Sequence, residues 1–481
     1  MPASLTTGIL VALSAAATLA GMGKIAPHGH TSPHATRHAS GETPRVTITR
    51  PGGPVRVDAH DGSVTIRQTR RTAGRGEVYP KCLLCHSDIE NVTKNMLGME
   101  LDCTFCHGGD PMATTIADAH IFPNGNVVYD NRIPPIDDDL AYQKFINPSN
   151  LRAVDETCGM CHPSVVRKVR KSMMATTAGH YGGGFYQNGV SVSKTPLYGN
   201  FAITDDDGVV PTDQGAVESL LDLLIYDDSG DQSLFSTHYA AVPAQACARC
   251  HLWSRGRGYR GAHDVDGTYR ADGCAACHML YANDGLSMSN DPSIDHSETG
   301  HPRYHVITKE IPTEQCLHCH HRGARIGLNF TGRAQMPPRL PSGPDVPGTT
   351  DERFNKNYHY TVADTNPQDI HGQAGMHCID CHTSEGVMGD DNLWGHMDQA
   401  TKVECRTCHG TPTAMPTLLD NDGEPLTNVE NTGGKIVLTS KVTGQEHTVP
   451  PAMEVIATHP KAACAMNDNH IKSNGGLECY A

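Results

Sequence analysis

At 481 residues the chain has room for two to four domains, yet 5% aromatic and 38% hydrophobic content is thin for a side-chain core of that size. A net charge of −15 with histidine neutral excludes nucleic acid and anionic lipid surfaces as partners and suits basic ones. The unusual quantities are 18 cysteines and 29 histidines.

In chain order, the apolar, Ala-rich run inside residues 1–20 has the length of a signal peptide, although Lys24 is the first positive side chain. The run is too short to span a membrane, so no integral span is expected. Residues 21–44, with His28, His30, His34 and His38 among Pro, Ser and Thr, read as a flexible leader. Residues 45–78 form a small β element: Val46/Ile48, Val55/Val57 and Val64/Ile66 alternate around an Asp61-Gly62 turn. That element either caps the next domain or offers an edge to a neighbouring chain.

From residue 79 one unit recurs: two cysteines separated by two residues, then a histidine. The eight copies are Cys82/Cys85-His86, Cys103/Cys106-His107, Cys158/Cys161-His162, Cys247/Cys250-His251, Cys274/Cys277-His278, Cys316/Cys319-His320, Cys378/Cys381-His382 and Cys405/Cys408-His409. Chance at this composition supplies about 0.04 of them. Zinc sites use cysteines in pairs of pairs without a histidine after each second one. Cys-x-x-Cys-His is the attachment site of haem c: both thiols add to the porphyrin, and the histidine binds iron. Eight covalent haems are therefore expected over an octahaem domain at 79–420. Attachment of this kind happens outside the cytoplasm, so the protein is expected in the periplasm or beyond the cell. At about 60 residues per haem, porphyrin replaces side chains as core filler, and folding should depend on it.

Between the units, Val165 to Met174 has the pattern of a short helix, Gly182-Gly183-Gly184 that of a turn, and Glu218 to Ile225 that of an aliphatic helix. Pro337 to Gly348 reads as linker. Units one and two, four and five, and seven and eight are close in sequence, and their short tethers should bring porphyrins together. The Asp runs at 137–139, 205–207 and 390–391 offer oxygen ligands for calcium, against the plainer reading of solvated loops. Residues 421–481 hold a β-hairpin (Ile436-Val437-Leu438, Gly444, Thr448-Val449) and a tail. A disulfide between Cys464 and Cys479 would pin that tail; a ninth haem there is disfavoured because Tyr480, not histidine, follows Cys479.

Twenty-one histidines remain after the eight proximal ones, enough for a second axial ligand on every iron. Candidates are His120, His238, His263, His305, His359, His371, His396 and His459, each weighed against a plain surface role. His318 and His321 lie beside the sixth unit's ligand, and His377 directly precedes Cys378, a tight position from which to reach another iron. Met173, Met174 and Met388 are alternative ligands or packing residues.

The runs Asp-Glu-Thr-Cys-Gly-Met-Cys-His-Pro at 155–163, Arg-Ile-Gly-Leu at 325–328 and Gly-Met-His-Cys-Ile-Asp-Cys-His at 375–382 resemble octahaem c-type cytochromes of respiring bacteria. The likeness spans residues 79 to 450. It implies a mostly irregular and α multihaem cytochrome c fold, with short helices around the units and small β-hairpin elements near both ends. It also implies electron transfer to redox partner proteins, with self-association into an oligomer or cytochrome filament as a related option. Multihaem nitrite and tetrathionate reductases typically carry a Cys-x-x-Cys-Lys unit, absent here, whereas hydroxylamine oxidoreductases use ordinary units and a tyrosine cross-link. Tyr358 and Tyr360 are the candidates for that route, in which one open haem would convert a small nitrogen or sulfur compound.

Overall fold

The computed structural model describes residues 81–92, 101–124, 139–223, 250–256, 267–320, 330–331 and 368–458, with the backbone of strands at 45–48, 55–60, 63–68, 334–335 and 360–361. The signal and leader segments, Cys247, His238, His263, His359, His459, His321, Asp137, Asp138, Tyr358, the 325–328 run, the Pro337–Gly348 linker, Cys464 and Cys479 lie outside the described residues.

Arg45–Ile48, Val55–His60 and Ser63–Gln68 form an antiparallel three-stranded sheet in chain order, with Val46 opposite Val57 and Val57 opposite Ile66. Period-2 placement of β-branched residues around Asp61-Gly62 accounts for it. A second sheet lies near the end of the described chain, ahead of the helix Ala452–Thr458: Val429–Thr432, Lys435–Thr439 and Glu446–Val449, so the expected hairpin gains a third strand. Its apolar face, Val429, Ile436, Leu438 and Val449, is buried against Met376 and Cys408. The sheet thereby roofs the eighth cysteine–histidine unit.

Between the two sheets regular structure is short. Pro163–Lys171 is a helix with proline in its first turn and Val166 and Val169 buried. Met173–Thr176 and Ala178–Gln187 follow. Gly182, Gly183 and Gly184 lie inside that last helix, not in a turn; a Cβ on Gly182 would sit 2.5 Å from the Lys194 carbonyl, so close packing explains the small residue. The aliphatic run expected as a helix is the strand Ser219–Asp222, paired with Ile203–Thr204 and Tyr198–Gly199. Leu220 is buried beside Leu393 while Leu221 faces out, the alternation of a strand. No helix among the described residues is long and apolar enough to cross a membrane.

Two buried cations tie distant segments together. Lys171 reaches Asp205 at 2.7 Å and Asp391 at 3.2 Å, and Arg167 also pairs with Asp391. Lys402 pairs with Asp390 and, at 2.7 Å, with Asp422, while the Trp394 indole donates to Asp390 at 2.9 Å. Asp205, Asp390 and Asp391 are therefore partners of lysine and arginine, while Asp206 stays 74% exposed, as the solvated-loop reading has it.

Candidate functional site: a succession of cysteine–histidine units

Each described unit is wound into a single helical turn. The histidine amide donates to the carbonyl of the first cysteine in His86→Cys82 (2.9 Å), His162→Cys158 (2.8 Å), His278→Cys274 (3.0 Å), His320→Cys316 (2.9 Å) and His382→Cys378 (2.9 Å). Cys103–His107 and Cys405–His409 are short helices in full. Their starts are fixed locally: Asp102 accepts from the Thr104 amide, and Glu404 and Thr407 cap each other. A turn of this kind sets residues i, i+3 and i+4 on one face, so both thiols and the imidazole can address one flat ligand.

The units also meet one another. Cys82 hydrogen-bonds to Cys103, Cys158 to Cys274, Cys316 to Cys378 and Cys250 to Cys319. Cys106 feels Cys158, Cys277 feels Cys319, and Cys381 feels Cys408. Traced through these hydrogen bonds and electrostatic influences among the described thiols, units one, two, three, five, six, seven and eight form one path, and Cys250 of unit four branches from unit six. Units one and two, and seven and eight, meet as their tethers predict. Unit five meets unit three through Cys274 and Cys158 and feels unit six through Cys319, which sequence distance does not reveal. In each hydrogen-bonded pair one thiol is drawn down by its partner: Cys82 to about 6, Cys158 to about 7, Cys319 to about 5, and Cys378 below its ordinary value. The thiolate is the reactive form of cysteine.

The described attachment thiols depart from a common depth at three places. Cys161, Cys381 and Cys405 are exposed, while Cys408 is buried and the other described attachment cysteines lie between the two extremes. The departure is largest in unit three, where Met160, Cys161, His162, Pro163 and Ser164 are all exposed. Its physical reason is the turn Cys158–Met160. That turn spends its inner side on Gly159, packed 2.9 Å (at an added Cβ) from the Val154 carbonyl, and on the contact of Cys158 with Cys274. The Cys161 amide closes the turn on the Cys158 carbonyl at 3.1 Å, which rotates its thiol to the outside. Cys161 still lies near enough to Cys106 to raise that thiol. Unit three is thus a surface unit on the path, with one thiol turned to its neighbours and one at the rim.

The imidazoles are arranged for ligation through Nε2. The Nδ1 of His107 faces the Phe145 carbonyl at 2.6 Å, His278 the Thr308 carbonyl at 2.8 Å, and His409 the Pro450 carbonyl at 2.9 Å. His251 faces the Thr177 hydroxyl at 2.8 Å and the Met174 carbonyl at 3.3 Å, and His86 faces Asp291 at 2.7 Å. A carbonyl or carboxylate there holds the proton on Nδ1 and leaves Nε2 with its lone pair, the usual support of a metal-bound histidine. Desolvation lowers the proton affinity of His107 and, although that residue is exposed, of His382, and pushes His251 down to about 4. Neutral imidazole is the ligating form.

Three of the predicted second ligands stand beside a proximal one. Ring centroids are 6.2 Å apart in His86–His120, 6.0 Å in His107–His305 and 5.9 Å in His371–His409. With metal–imidazole nitrogen bonds of about 2.0 Å, two rings on opposite faces of one metal have centroids about 6 Å apart. His305 places Nδ1 3.0 Å from the Glu90 carbonyl, and His371 2.9 Å from Asp369. His396 is mostly exposed, its Nδ1 on Asp398. His377 accepts the Thr313 amide at Nδ1, 3.1 Å away, which puts its proton on Nε2 and removes it from ligation. Met388 packs with Leu151, Val169, Ala175 and Trp253.

Two histidines outside the predicted set are placed like ligands. His318, between the cysteines of unit six, is 1% exposed with Nδ1 3.0 Å from the Gly267 carbonyl. His180 is near enough to His251 to lower its proton affinity. The position of His318 inside Cys316-Leu-His-Cys319 was the available signal; for His180 there was none. Paired thiols, imidazoles whose Nδ1 is held by an oxygen, and second imidazoles about 6 Å away form a donor set that fits covalently attached iron porphyrin. No family model, curated protein or solved structure matches the chain.

Proposed function

We propose that the protein is an exported electron-transfer cytochrome carrying eight covalent haems. What supports this reading is that the units follow one another as neighbours from Cys82 to Cys408, through hydrogen-bonded thiols at three steps and through electrostatic influence at the three between them. Haem bound at these units would supply one-electron exchange between ferric and ferrous iron. The chain's part is positional. Sixteen cysteines anchor porphyrin edges beside those of the next unit, and eight histidines offer Nε2 from the proximal side. His120, His305 and His371, each about 6 Å from a proximal ring, would give a second imidazole to the bound metal at three units, which would keep substrate from it and favour transfer over conversion. The exposed thiol of Cys161 would leave the porphyrin edge of unit three at the surface, where a partner protein can approach it. The net charge of −15 directs that surface to basic redox partners, and thioether attachment places the mature protein in the periplasm or outside the cell.

Intact mass and a pyridine haemochrome assay should both return eight haems per chain, and the oxidised protein should be low-spin throughout by electron paramagnetic resonance. Far fewer haems would remove the reading. A high-spin signal equal to one haem, responsive to nitrite or cyanide, would move the protein among the substrate-converting oxidoreductases.

A further inference from the structure

Four proximal histidines hand their Nδ1 proton to neutral oxygen: a carbonyl for His107, His278 and His409, and a hydroxyl and a carbonyl for His251. His86 differs. Its Nδ1 lies 2.7 Å from Oδ2 of Asp291, whose side chain is 1% exposed. The other carboxylate oxygen accepts the amide and hydroxyl of Ser293 at 2.9 and 2.8 Å, which aims Oδ2 at the ring, and the same hydroxyl lies 2.9 Å from His86 Nδ1 beside the shorter carboxylate contact. The strap that carries Asp291 is fastened to the same unit. Ser289 donates to Glu90 at 2.7 Å, the Asn290 amide to Glu90 at 3.0 Å, and the Asp291 amide to Ser289 at 3.2 Å. Glu90 follows His86 by four residues.

A buried carboxylate is a far stronger acceptor than a carbonyl, because its full charge acts across a poorly screened gap. Drawing the proton toward Oδ2 gives the ring imidazolate character and makes Nε2 a better donor to metal. A better donor, with a nearby negative charge, stabilises ferric iron over ferrous, which carries one positive charge less.

We propose that Asp291 is a positioning residue that makes the haem at Cys82 and Cys85 the lowest-potential centre of the eight. This rests on the haem reading above. Unit one is an end of the path traced through the thiol contacts, so a low-potential centre there makes electron flow run inward from that end. Reduction adds one electron at the metal, and the shared proton stays between Nδ1 and Oδ2.

The test is a spectroelectrochemical titration of the full haem-loaded protein, wild type against Asp291→Asn, with haem content counted in both. In the variant the lowest of the potentials should rise by at least about 59 mV, a tenfold change in the one-electron equilibrium constant. The others should stay in place, and Asp291→Glu should restore part of the fall. The resonance signal of that centre should narrow toward those of the carbonyl-supported haems. A haem count far below eight in wild type overturns the haem reading and this inference together. A count of eight with no potential moved, or with a centre other than the lowest moved, overturns this inference alone. If Asp291→Asn loses the haem, Ser293→Ala, which removes the hydroxyl bound both to Asp291 and to His86 Nδ1 but leaves the Ser293 amide and both histidines in place, should raise the same potential by a smaller step; no rise there also overturns it.

Discussion

A histidine can give Nε2 to a metal only if its proton resides on Nδ1, and here the backbone chooses which rings meet that condition. His305 meets it through the Glu90 carbonyl, while His377, as close to a unit as a residue can be, fails it because the Thr313 amide points at Nδ1. The sequence could count histidines but could not assign tautomers, since His305 is about 200 residues from its ring partner His107. His180 carried no signal in the sequence, whereas His318 could be noticed only by its place between Cys316 and Cys319. His305→Ala should convert the haem at Cys103 and Cys106 from low-spin to high-spin, seen as a new ferric resonance signal of one haem. Added imidazole should reverse it. His377→Ala should leave the spectrum low-spin; a high-spin signal from that variant instead would refute the tautomer argument.

At the scale of elements the eight units were legible because covalent chemistry needs a fixed spacing, whereas the connecting segments answer to packing. The same spacing says nothing of depth, so Cys161 and Cys408, which hold the same place in their units, lie exposed and buried. Ser219–Asp222 illustrates the effect of packing: a run this short has no period of its own, and pairing with Ile203–Thr204 decided for a strand. Gly410 illustrates the fixed geometry of the units. It ends the eighth unit's helix at φ +68 and ψ −151, and Gly108 ends the second unit's at φ +71 and ψ −151. That region belongs to glycine, and a Cβ on Gly410 would also lie 2.4 Å from the Ala414 carbonyl. Gly410→Ala should cost at least about 2–3 kcal/mol in denaturant unfolding. Gly423, at φ +86 with open space around it, is the control: Gly423→Ala should cost about 1 kcal/mol. Equal losses in the two would show that backbone strain alone, without the carbonyl contact, sets the effect.

For the whole molecule the question is what keeps the path of units in register when the apolar core is divided into small clusters. Part of the answer is ionic. The helix Pro163–Lys171, which follows unit three, is locked through Lys171 and Arg167 to Asp391, which lies between units seven and eight. Burial alone would lower the Lys171 ammonium, but Asp205 and Asp391 outweigh it and hold it above its ordinary value. Burial would likewise raise Asp391, but Arg167 and Lys171 hold it below the usual carboxylate range. Because the folded Asp391 value is depressed, its stabilisation is present above the unfolded value near about 4 and fades as pH falls through the folded one. Because the folded Lys171 value is raised, its share is complete below about 10.4 and fades as pH rises past that. Stability should therefore be level from about pH 5 to pH 10 as far as this lock is concerned, and fall on both sides. Removing only the cation should strand a buried carboxylate: Lys171→Met should lose about 3–5 kcal/mol at neutral pH, measured by denaturant unfolding. Lys171→Met with Asp205→Leu should recover most of that, because an apolar pair of similar volume carries no unpaired charge. If the double variant were as unstable as the single one, the contact would matter for its shape and not for its charge, and the path would owe its register to packing.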